Sequence, residues 1–303
     1  FIAEIVIFDS QIRNKATFRG KALNQETLVF MTNKIILSIQ SAVMHGAVGN
    51  SAAMPIYQFL RQPAESLDTV QLAAHPGFGT NMLSVTPAAE LDAMLADYAK
   101  LGIFQHLGAI QTGYFGDHTQ ILPVAQFIAT SKQKNETLVY LLDPVLGDAG
   151  RLYVNRSISD AIRADLLPHA DIITPNQFEL TLLAETVIKN EADAVTAARQ
   201  LITGSLKAVF ATGITTASSQ ACDILVSSET EQIMTADKQP NGVSGSGDVL
   251  SAFFLNAILS GQNLAKAAQT ANTKTAEILA KADTALTMPV LRHIWEDSAT
   301  RHW

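Results

Sequence analysis

The sequence predicts an α/β fold, with one mostly parallel central sheet that helices cover on both faces. From Met31 onward, short apolar runs alternate with stretches of helical periodicity. This alternation is typical of parallel strands joined by crossover helices, which pack on both faces of the sheet. No internal repeat, low-complexity tract or linker interrupts the pattern. We therefore expect residues 31–303 to form a single domain.

The individual elements follow from the spacing of apolar residues. Short, mainly aliphatic runs predict strands, and apolar residues that recur every three or four positions predict helices. The predicted strands cover residues 34–39, 69–72, 110–112, 139–142, 171–174, 208–211 and 223–226. The predicted helices cover residues 50–60, 87–101, 118–131, 159–166, 177–184, 191–203, 249–260 and 264–280. In such sheets ligands bind beyond the carboxyl ends of the strands, so the loops there are the candidate functional segments.

Residues 1–30 look foreign to this pattern. Met31 and the three polar residues after it lead into the first apolar run, as a natural start would. We therefore expect residues 1–30 to be upstream sequence or a poorly ordered extension. Residues 1–8 are apolar but contain Glu4 and lack a preceding basic region, which makes them a poor signal peptide.

The composition limits the classes of partner. Hydrophobic residues make up 48% of the chain and charged residues 16%, which is typical of a globular protein. The net charge of −7 argues against a general nucleic-acid binder, because such proteins usually display a basic face. No apolar run reaches the roughly 18 residues of a membrane span. Cys222 is the only cysteine, which excludes an internal disulfide and fits a reducing compartment. We expect a cytoplasmic protein that binds neither nucleic acid nor membranes.

The most informative segment is Asn241-Gly242-Val243-Ser244-Gly245-Ser246-Gly247-Asp248, which an apolar helix pattern follows at once. Glycines let the backbone approach a ligand closely, and the free amides of a helix start favour anions. An anion hole with a carboxylate at its edge is what phosphoryl transfer to an alcohol needs. The alternative is a structural loop in which Asp248 stabilises the helix start electrostatically. The Walker-type and dinucleotide-binding glycine patterns are absent, which argues against those two nucleotide-binding classes.

Two further segments carry carboxylates at predicted strand ends. Asp143 and Asp148 follow strand 139–142 in a loop with two glycines. Their oxygens can hold a hard cation directly or through water, and an Asp-Pro turn that simply ends the strand is the alternative. After strand 171–174, Asn176 and Glu179 either face a metal–phosphate group or form a capping box at the next helix.

Residues 41–50 follow the first strand and form the fourth candidate segment. They offer the Ser41 hydroxyl, two glycines and small apolar side chains, which suit a pocket for a small planar molecule. A plain connection between strand and helix is the alternative.

Four of these segments resemble, in the same order along the chain, the signatures of pyridoxal kinases. Residues 39–41 with 46–53 resemble the amino-terminal signature, and residues 143–148 with 150–154 resemble the phosphate and metal loop with its flap. Residues 170–179 are similar to the acidic metal motif of the family. Residues 245–248 match the anion hole and catalytic base of the wider ribokinase-like superfamily. The resemblance runs from about residue 34 to about residue 259.

The resemblance implies a ribokinase-like fold, a homodimer and ATP-dependent phosphorylation of the 5′-hydroxymethyl group of pyridoxal, with pyridoxine and pyridoxamine as further substrates. The product would be pyridoxal 5′-phosphate, made in vitamin B6 salvage. The implied cofactor is Mg²⁺, with ATP as co-substrate, and the implied second ion is a monovalent cation such as K⁺.

The resemblance also implies a role for each matched residue. Asp248 would be the catalytic base, and Gly245, Ser246 and Gly247 would donate amides to the transferred phosphoryl group. Beside Asp248, the substrate site would contain Ser41, Val48, His75, Pro76, Gly77 and Tyr114. The ATP site would contain Asp143, Asp148, Thr174, Asn176, Glu179, Thr212, Gly213, Asn241, Gly242, Val243 and Ser244. Asp143, Asp148 and Glu179 would also hold the metal.

The chain departs from the family pattern at residues 74–77. Most pyridoxal kinases carry Asn-His-Thr here, whereas this chain has Ala74-His75-Pro76-Gly77. Pro76 has neither a hydroxyl nor a backbone N–H, so the contact that the threonine makes is lost. His75 is then either a compensating ring contact or a structural loop histidine.

Two other functions remain open at this stage. A hydroxymethylpyrimidine kinase shares the anion hole, although residues 46–50 and Tyr114 favour pyridoxal. A non-catalytic carrier or sensor of B6 vitamers would need no base, so Asp248 argues against it.

Overall fold

The computed structural model describes residues 17–18, 21–22, 34–79, 83–236, 243–282, 286–287 and 290–291. The chain divides into two compact units, Phe1–Asn33 and Lys34–Trp303. In the first unit, the described strands β1 (Thr17–Phe18) and β2 (Lys21–Ala22) pair antiparallel. Residues 1–30 otherwise lie outside the described residues, so their nature as an extension stays a prediction.

The second unit is built on a nine-stranded sheet. Its strands and the small hairpin β8–β9 are β3 (Ile35–His45), β4 (Ala64–Ala74), β5 (Leu83–Val85), β6 (Leu107–Thr112), β7 (Val139–Leu142), β8 (Gly147–Asp148), β9 (Arg151–Leu152), β10 (Ile172–Ile173), β11 (Ala208–Thr215), β12 (Ala221–Ser227) and β13 (Glu231–Ala236). The order across the sheet is β13-β12-β11-β10-β7-β6-β3-β4-β5. Pairing is parallel from β4 through to β11 and antiparallel at β5, β12 and β13. The predicted mostly parallel sheet is confirmed.

The helices agree with the predicted ones to within a few residues. They are α1 (Asn50–Phe59), α2 (Ala88–Lys100), α3 (Ile121–Lys134), α4 (Arg156–Ala161), α5 (Gln177–Ala184), α6 (Glu191–Leu201), α7 (Ser246–Leu259) and α8 (Leu264–Leu279). A π-helical turn, Ile162–Leu166, continues α4. Helix α7 begins three residues before the predicted start at 249, so Asp248 lies in its first turn. None of the helices among these residues combines the length and the apolar character that a bilayer crossing requires.

Alternate residues of the central strands pack into two separate cores. Leu37 and Ile110 belong to one core with residues of α2 to α6, while Ile36 and Ala109 belong to the other with residues of α1, α7 and α8. This alternation is the period of two expected of a strand whose two faces are both buried. The prediction of helices on both faces of the sheet is therefore confirmed, and the loops that remain at the carboxyl ends of the strands form the candidate site.

Candidate active site at the carboxyl edge of the sheet

The loop before α7 has a backbone that only glycine adopts easily at its key position. Gly245 is the N-cap of α7 with φ of +92°, and a Cβ atom there would lie 2.1 Å from the Ala47 carbonyl oxygen. The Ser246 N–H donates to the Val243 carbonyl over 3.2 Å, whereas Gly247 follows in the first turn, where amides have no acceptor within the helix. The start of α7 is therefore pressed against the loop after β3.

Asp248 lies in the first turn of α7 and is partly buried. Burial raises the pKa of its carboxyl group to about 6, and a hydrogen bond from the Gly49 backbone N–H opposes this rise. The carboxylate is thus mainly ionised at neutral pH but is more basic than a carboxylate in water. Gly49 was not among the predicted site residues. Its contact with Asp248 joins loops about 200 residues apart, which no local pattern reveals.

Asp143 follows β7 and is fully enclosed beside the same helix start. Its pKa is raised well above the usual range by burial, then by the negative charges of Asp248 and Glu179. A Cβ atom at Gly247 would lie 3.9 Å from Asp143 Oδ2, so the glycine-rich loop and this carboxylate are close neighbours. The structure therefore brings three predicted acidic residues into one electrostatic group.

Ser251 joins two of the predicted residues and was itself missed. It is fully buried in α7, and its Oγ donates to Asp143 Oδ2 over 3.0 Å and lies 3.1 Å from Thr174 Oγ1. Residues three apart share one face of a helix, so the spacing from Asp248 to Ser251 was the available signal.

Asn176 and Glu179 form the capping box that the sequence left as an alternative. The Asn176 side chain accepts from the Glu179 N–H over 2.9 Å, and Glu179 Oε2 accepts from the Asn176 N–H over 2.9 Å. Glu179 Oε1 accepts the N–H groups of Leu146 (2.9 Å) and Gly147 (3.4 Å). Burial nevertheless raises the pKa of Glu179 to about 8. Both carboxylate oxygens thus accept backbone N–H groups, one from the loop after β7 and the other from the start of α5.

Asp148 differs from the other acids because it is exposed, on the hairpin of β8 and β9. Its Oδ1 accepts from the Ala149 N–H over 2.7 Å, and its charge contributes to the raised pKa of Glu179. Among the residues that the structure describes, no three or more histidine, cysteine, aspartate or glutamate side chains lie close enough together to hold a metal ion. Oxygens of water or phosphate would have to complete a cation site that uses Asp143, Asp148 and Glu179.

The predicted nucleotide border lies within β11, which continues beyond the predicted strand end at 211 to Thr215. The Thr212 N–H donates to the Pro175 carbonyl over 2.9 Å, and Thr212 forms an isolated parallel bridge with Asn176. Gly213 is exposed, and its N–H donates to Asp223 Oδ1 over 3.0 Å. Val243 is buried and Ser244 is partly buried in front of α7. The predicted residues Asn241 and Gly242 lie outside the described residues.

The predicted substrate residues surround the end of β3. Ser41 is buried, and Gly49 packs so closely that a Cβ atom there would lie 2.5 Å from Ser41 Oγ. Val48 and Tyr114 are partly buried, and burial raises the pKa of the Tyr114 hydroxyl. The Tyr114 carbonyl accepts from Thr69 Oγ1 over 2.6 Å, which fixes the turn after β6.

His75 serves the loop in which it lies. Its Nδ1 accepts from the Gly77 N–H over 3.1 Å and lies 3.4 Å from Ser244 Oγ. Burial lowers the pKa of the ring, so the neutral form is favoured. Pro76 and Gly77 are exposed in a 3-10 turn, Pro76–Phe78. The structural alternative for His75 is thus present, and the same ring links this turn to the loop before α7.

Known proteins resemble this chain along most of its length. Residues 88–288 match the family model described as phosphomethylpyrimidine kinase. The chain is 30% identical over 240 residues to pyridoxal kinase PdxY of Actinobacillus pleuropneumoniae, an alignment that covers 76% of this chain and 82% of the relative. It is also 30% identical over 252 residues to the pyridoxine/pyridoxal/pyridoxamine kinase of Bordetella avium, with 81% and 84% covered. The solved pyridoxal kinase of Leishmania donovani, in complex with ADP and pyridoxamine, matches with a TM-score of 0.77 at 25% identity, over 86% of this chain and 94% of that one.

The doubly covered sheet and these matches define a kinase of the ribokinase-like superfamily. Within that superfamily, the chain belongs to the pyridoxal kinase family. Kinases that use ATP require a divalent metal, because the triphosphate and the transferred group carry charge that must be neutralised.

Proposed function

We propose that this protein transfers the γ-phosphoryl group of ATP to the 5′-hydroxymethyl group of pyridoxal and so makes pyridoxal 5′-phosphate in B6 salvage. The observation that carries the proposal is the position of Asp248, a carboxylate of raised pKa in the first turn of α7, directly after the Gly245 loop. Membership of the pyridoxal kinase family supports the same reaction.

Asp248 takes the proton of the hydroxymethyl group during the transfer. A pKa of about 6 leaves the group ionised at neutral pH and brings its basicity closer to that of an ideal general base. The Gly49 N–H orients the carboxylate. The backbone N–H groups of Gly245, Ser246 and Gly247 donate to the transferred phosphoryl group. The Ser246 N–H divides its hydrogen bond between this group and the Val243 carbonyl.

The acidic group fits a hard cation. Asp143 is buried beside two further carboxylates, and its donor atoms are oxygens, which Mg²⁺ prefers. Asp143 and Asp148 would hold Mg²⁺, and Glu179 would contribute through water, because backbone N–H groups already occupy both its oxygens. Mg²⁺, when bound, supplies neutralisation of phosphate charge. A monovalent cation such as K⁺ would be organised by the same carboxylates together with Thr174.

Two sets of side chains position the substrates in this proposal. Asn176, Thr212, Gly213, Ser244 and Val243, together with Asn241 and Gly242, border the nucleotide. Ser41 hydrogen-bonds the pyridine ring, and Val48 and Tyr114 line it. His75 holds the turn with Pro76 and Gly77 against the ring site, through its bond from the Gly77 N–H.

The proposal extends to the range of substrates, to the oligomeric state and location of the protein, and to its domain boundaries. Pyridoxine and pyridoxamine are further substrates, as the name of the Bordetella avium relative supports. The protein acts as a homodimer in the cytoplasm. Residues 31–303 form the catalytic domain, and residues 1–30 are an extension.

The test is ADP release with product identification, using Mg-ATP and each of pyridoxal, pyridoxine, pyridoxamine and hydroxymethylpyrimidine. Wild type is compared with Asp248→Ala and with Asp171→Asn, a buried carboxylate at the opposite edge of the sheet. We expect pyridoxal 5′-phosphate from wild type and Asp171→Asn but not from Asp248→Ala. Near-full activity of Asp248→Ala would refute the base assignment, and tight vitamer binding without any turnover would indicate a sensor.

One alternative is favoured by a specific observation. The family model that matches residues 88–288 is described as phosphomethylpyrimidine kinase. Turnover of hydroxymethylpyrimidine alone in the same assay would move the substrate from a pyridine to a pyrimidine and leave the mechanism unchanged.

A further inference from the structure

Strand β11 contains a bulge at the point where it reaches the candidate nucleotide border. Ala211 pairs with Ile224 of β12, and the next pair is Ile214 with Cys222. Two residues of β11, Thr212 and Gly213, therefore oppose the single residue Asp223. An extra residue of this kind leaves the ladder and exposes its backbone groups.

Asp223 satisfies the backbone group that the bulge frees. The Gly213 N–H donates to Asp223 Oδ1 over 3.0 Å. Gly213 has φ of +62°, which L side chains rarely adopt, so the turn depends on a glycine and on this acceptor.

A second contact fixes the carboxylate itself. Asn272 of α8 donates through Nδ2 to Asp223 Oδ2 over 2.8 Å. Asp223 is buried, and burial raises the pKa of its carboxyl group while these two hydrogen bonds lower it. A buried carboxylate is costly unless it is hydrogen-bonded in this way, and a strand-to-strand contact alone would not require one.

The other side of the bulge is held as well. The Thr212 N–H donates to the Pro175 carbonyl over 2.9 Å, next to the Asn176 cap of α5. Asp223 and Pro175 thus hold the turn from two sides, and the exposed Gly213 is fixed relative to the acidic group.

We infer that Asp223 is a positioning residue for the nucleotide: with Asn272 it holds the Thr212–Gly213 turn in the conformation that borders ATP. The inference deepens the proposed function and rests on it. Asp223 acts through Gly213 and does not touch the substrate.

The experiment measures MgADP binding by titration calorimetry, together with KM for ATP and for pyridoxal, for wild type, Asp223→Ala and Asp223→Asn. Asp223→Ala removes the acceptor, and we expect Kd for MgADP and KM for ATP to rise about tenfold, or about 1.4 kcal/mol. We expect kcat and KM for pyridoxal to change less than about twofold, because the chemistry and the ring site are untouched. Asp223→Asn keeps one acceptor oxygen and gives a smaller rise, and it serves if the alanine variant does not fold.

Asp171→Asn is the matched control. Asp171 is equally buried and also accepts a backbone N–H, from Tyr140 over 2.9 Å, but at the opposite edge of the sheet. We expect it to lower the melting temperature and to leave Kd for MgADP unchanged. If both Asp223 variants behave like this control, the inference is overturned while the proposed function stands. If wild type binds no MgADP, the proposed function fails and the inference fails with it.

Discussion

Asp171 and Asp143 are buried to the same degree in the same sheet, with 4% and 5% of their surfaces exposed, yet their surroundings are opposite. Asp171 lies at the amino end of β10 and Asp143 at the carboxyl end of the neighbouring parallel strand β7. Asp171 meets two cations, Lys132 Nζ at 2.7 Å and Lys207 Nζ at 2.9 Å, and accepts the Tyr140 N–H.

The charges around Asp143 have the other sign. After burial itself, the main causes of its raised pKa are the carboxylates Asp248 and Glu179. Removing a carboxylate from water costs several kcal/mol of free energy. An oppositely charged partner and hydrogen bonds can offset this cost, as they do in a buried ion pair. The amino edge supplies that compensation with two lysines, whereas the charged groups that shift the pKa of Asp143 are themselves carboxylates, and its hydrogen bonds come from the hydroxyl groups of Ser251 and Thr174. This difference supports the proposal that the carboxyl edge of the sheet receives a cation.

The largest expected effect is on kcat, which should fall for a variant at the carboxyl edge of the sheet but not for a variant at the amino edge. Asp248→Asn removes the proposed base, and we expect kcat to fall about 10³-fold, within the usual range for a general base. Asp171→Asn should keep kcat near that of wild type, because it lies on the far side of the sheet. Steady-state kinetics at saturating Mg-ATP and pyridoxal measure both. Equal losses in the two variants would erase the functional difference between the edges.

The free energy of unfolding should respond in the opposite way: it should fall when Asp171 is replaced but not when Asp143 is replaced. Asp171→Ala leaves the buried Tyr140 N–H without its side-chain acceptor and removes the anionic partner of Lys132, and we expect a loss of about 3 kcal/mol of unfolding free energy. Asp143→Asn in metal-free protein should lose nothing or gain stability, because it removes repulsion among carboxylates. Urea unfolding in the presence of a chelator gives both values. A loss in Asp143→Asn as large as in Asp171→Ala would contradict the comparison.

The pH dependence of stability sharpens the same point. The folded-state pKa values of Glu179 (about 8) and Asp248 (about 6) both exceed their usual values, so the folded state binds protons more tightly than the unfolded chain. The stability that these two groups contribute should therefore be greatest below about pH 4 and should fall by several kcal/mol as the pH rises to about 8, since one pKa unit corresponds to about 1.4 kcal/mol.

Melting of the metal-free protein between about pH 5 and pH 8 tests this sign. Glu179→Gln should flatten the upper part of the curve and Asp248→Asn the lower part. A wild-type protein that becomes more stable as the pH rises, with no difference in the variants, would show that the carboxylates at this edge are compensated after all.

Much of the fold was predictable, because apolar spacing records which faces of an element are buried. Strand 139–142 and helix 177–184 were predicted with the bounds observed. The edge strands β5 and β13 were missed, because each carries exposed residues such as Leu83 and Ile233 and lacks a continuous apolar run. The two antiparallel edge strands were therefore not predicted, because apolar spacing reveals only buried strands.

The site was predictable only as far as strand ends and motifs define it. The sequence indicates that Asp143, Glu179 and Asp248 meet at one edge of the sheet, since each follows a strand or begins a helix. It does not indicate that the Gly49 N–H reaches Asp248, or that Asp223 faces Gly213, because these contacts depend on strand register and on a bulge. The roles of the individual residues stay predictions for the experiments above.

The smallest predicted effect concerns Ser251, a neighbour of Asp143 at the carboxyl edge. Its hydroxyl donates to Asp143 Oδ2 and contacts Thr174, so it is a direct donor to the uncompensated carboxylate. Ser251→Ala should cost about 1 kcal/mol of stability, as one buried hydrogen bond does, and should raise the Mg²⁺ concentration for half-maximal MgADP binding several-fold.

Ser131→Ala is the matched control, since Ser131 is also buried in a helix and donates to the Phe127 carbonyl over 2.7 Å. Its loss of stability should be similar and its Mg²⁺ dependence unchanged, because Ser131 lies on α3, which packs on the other face of the sheet from α7. Calorimetric titration with MgADP over a range of Mg²⁺ concentrations compares the two variants. If both leave the Mg²⁺ dependence at the wild-type value, Ser251 only packs α7, and the orientation of Asp143 toward a cation must come from the backbone after β7 alone.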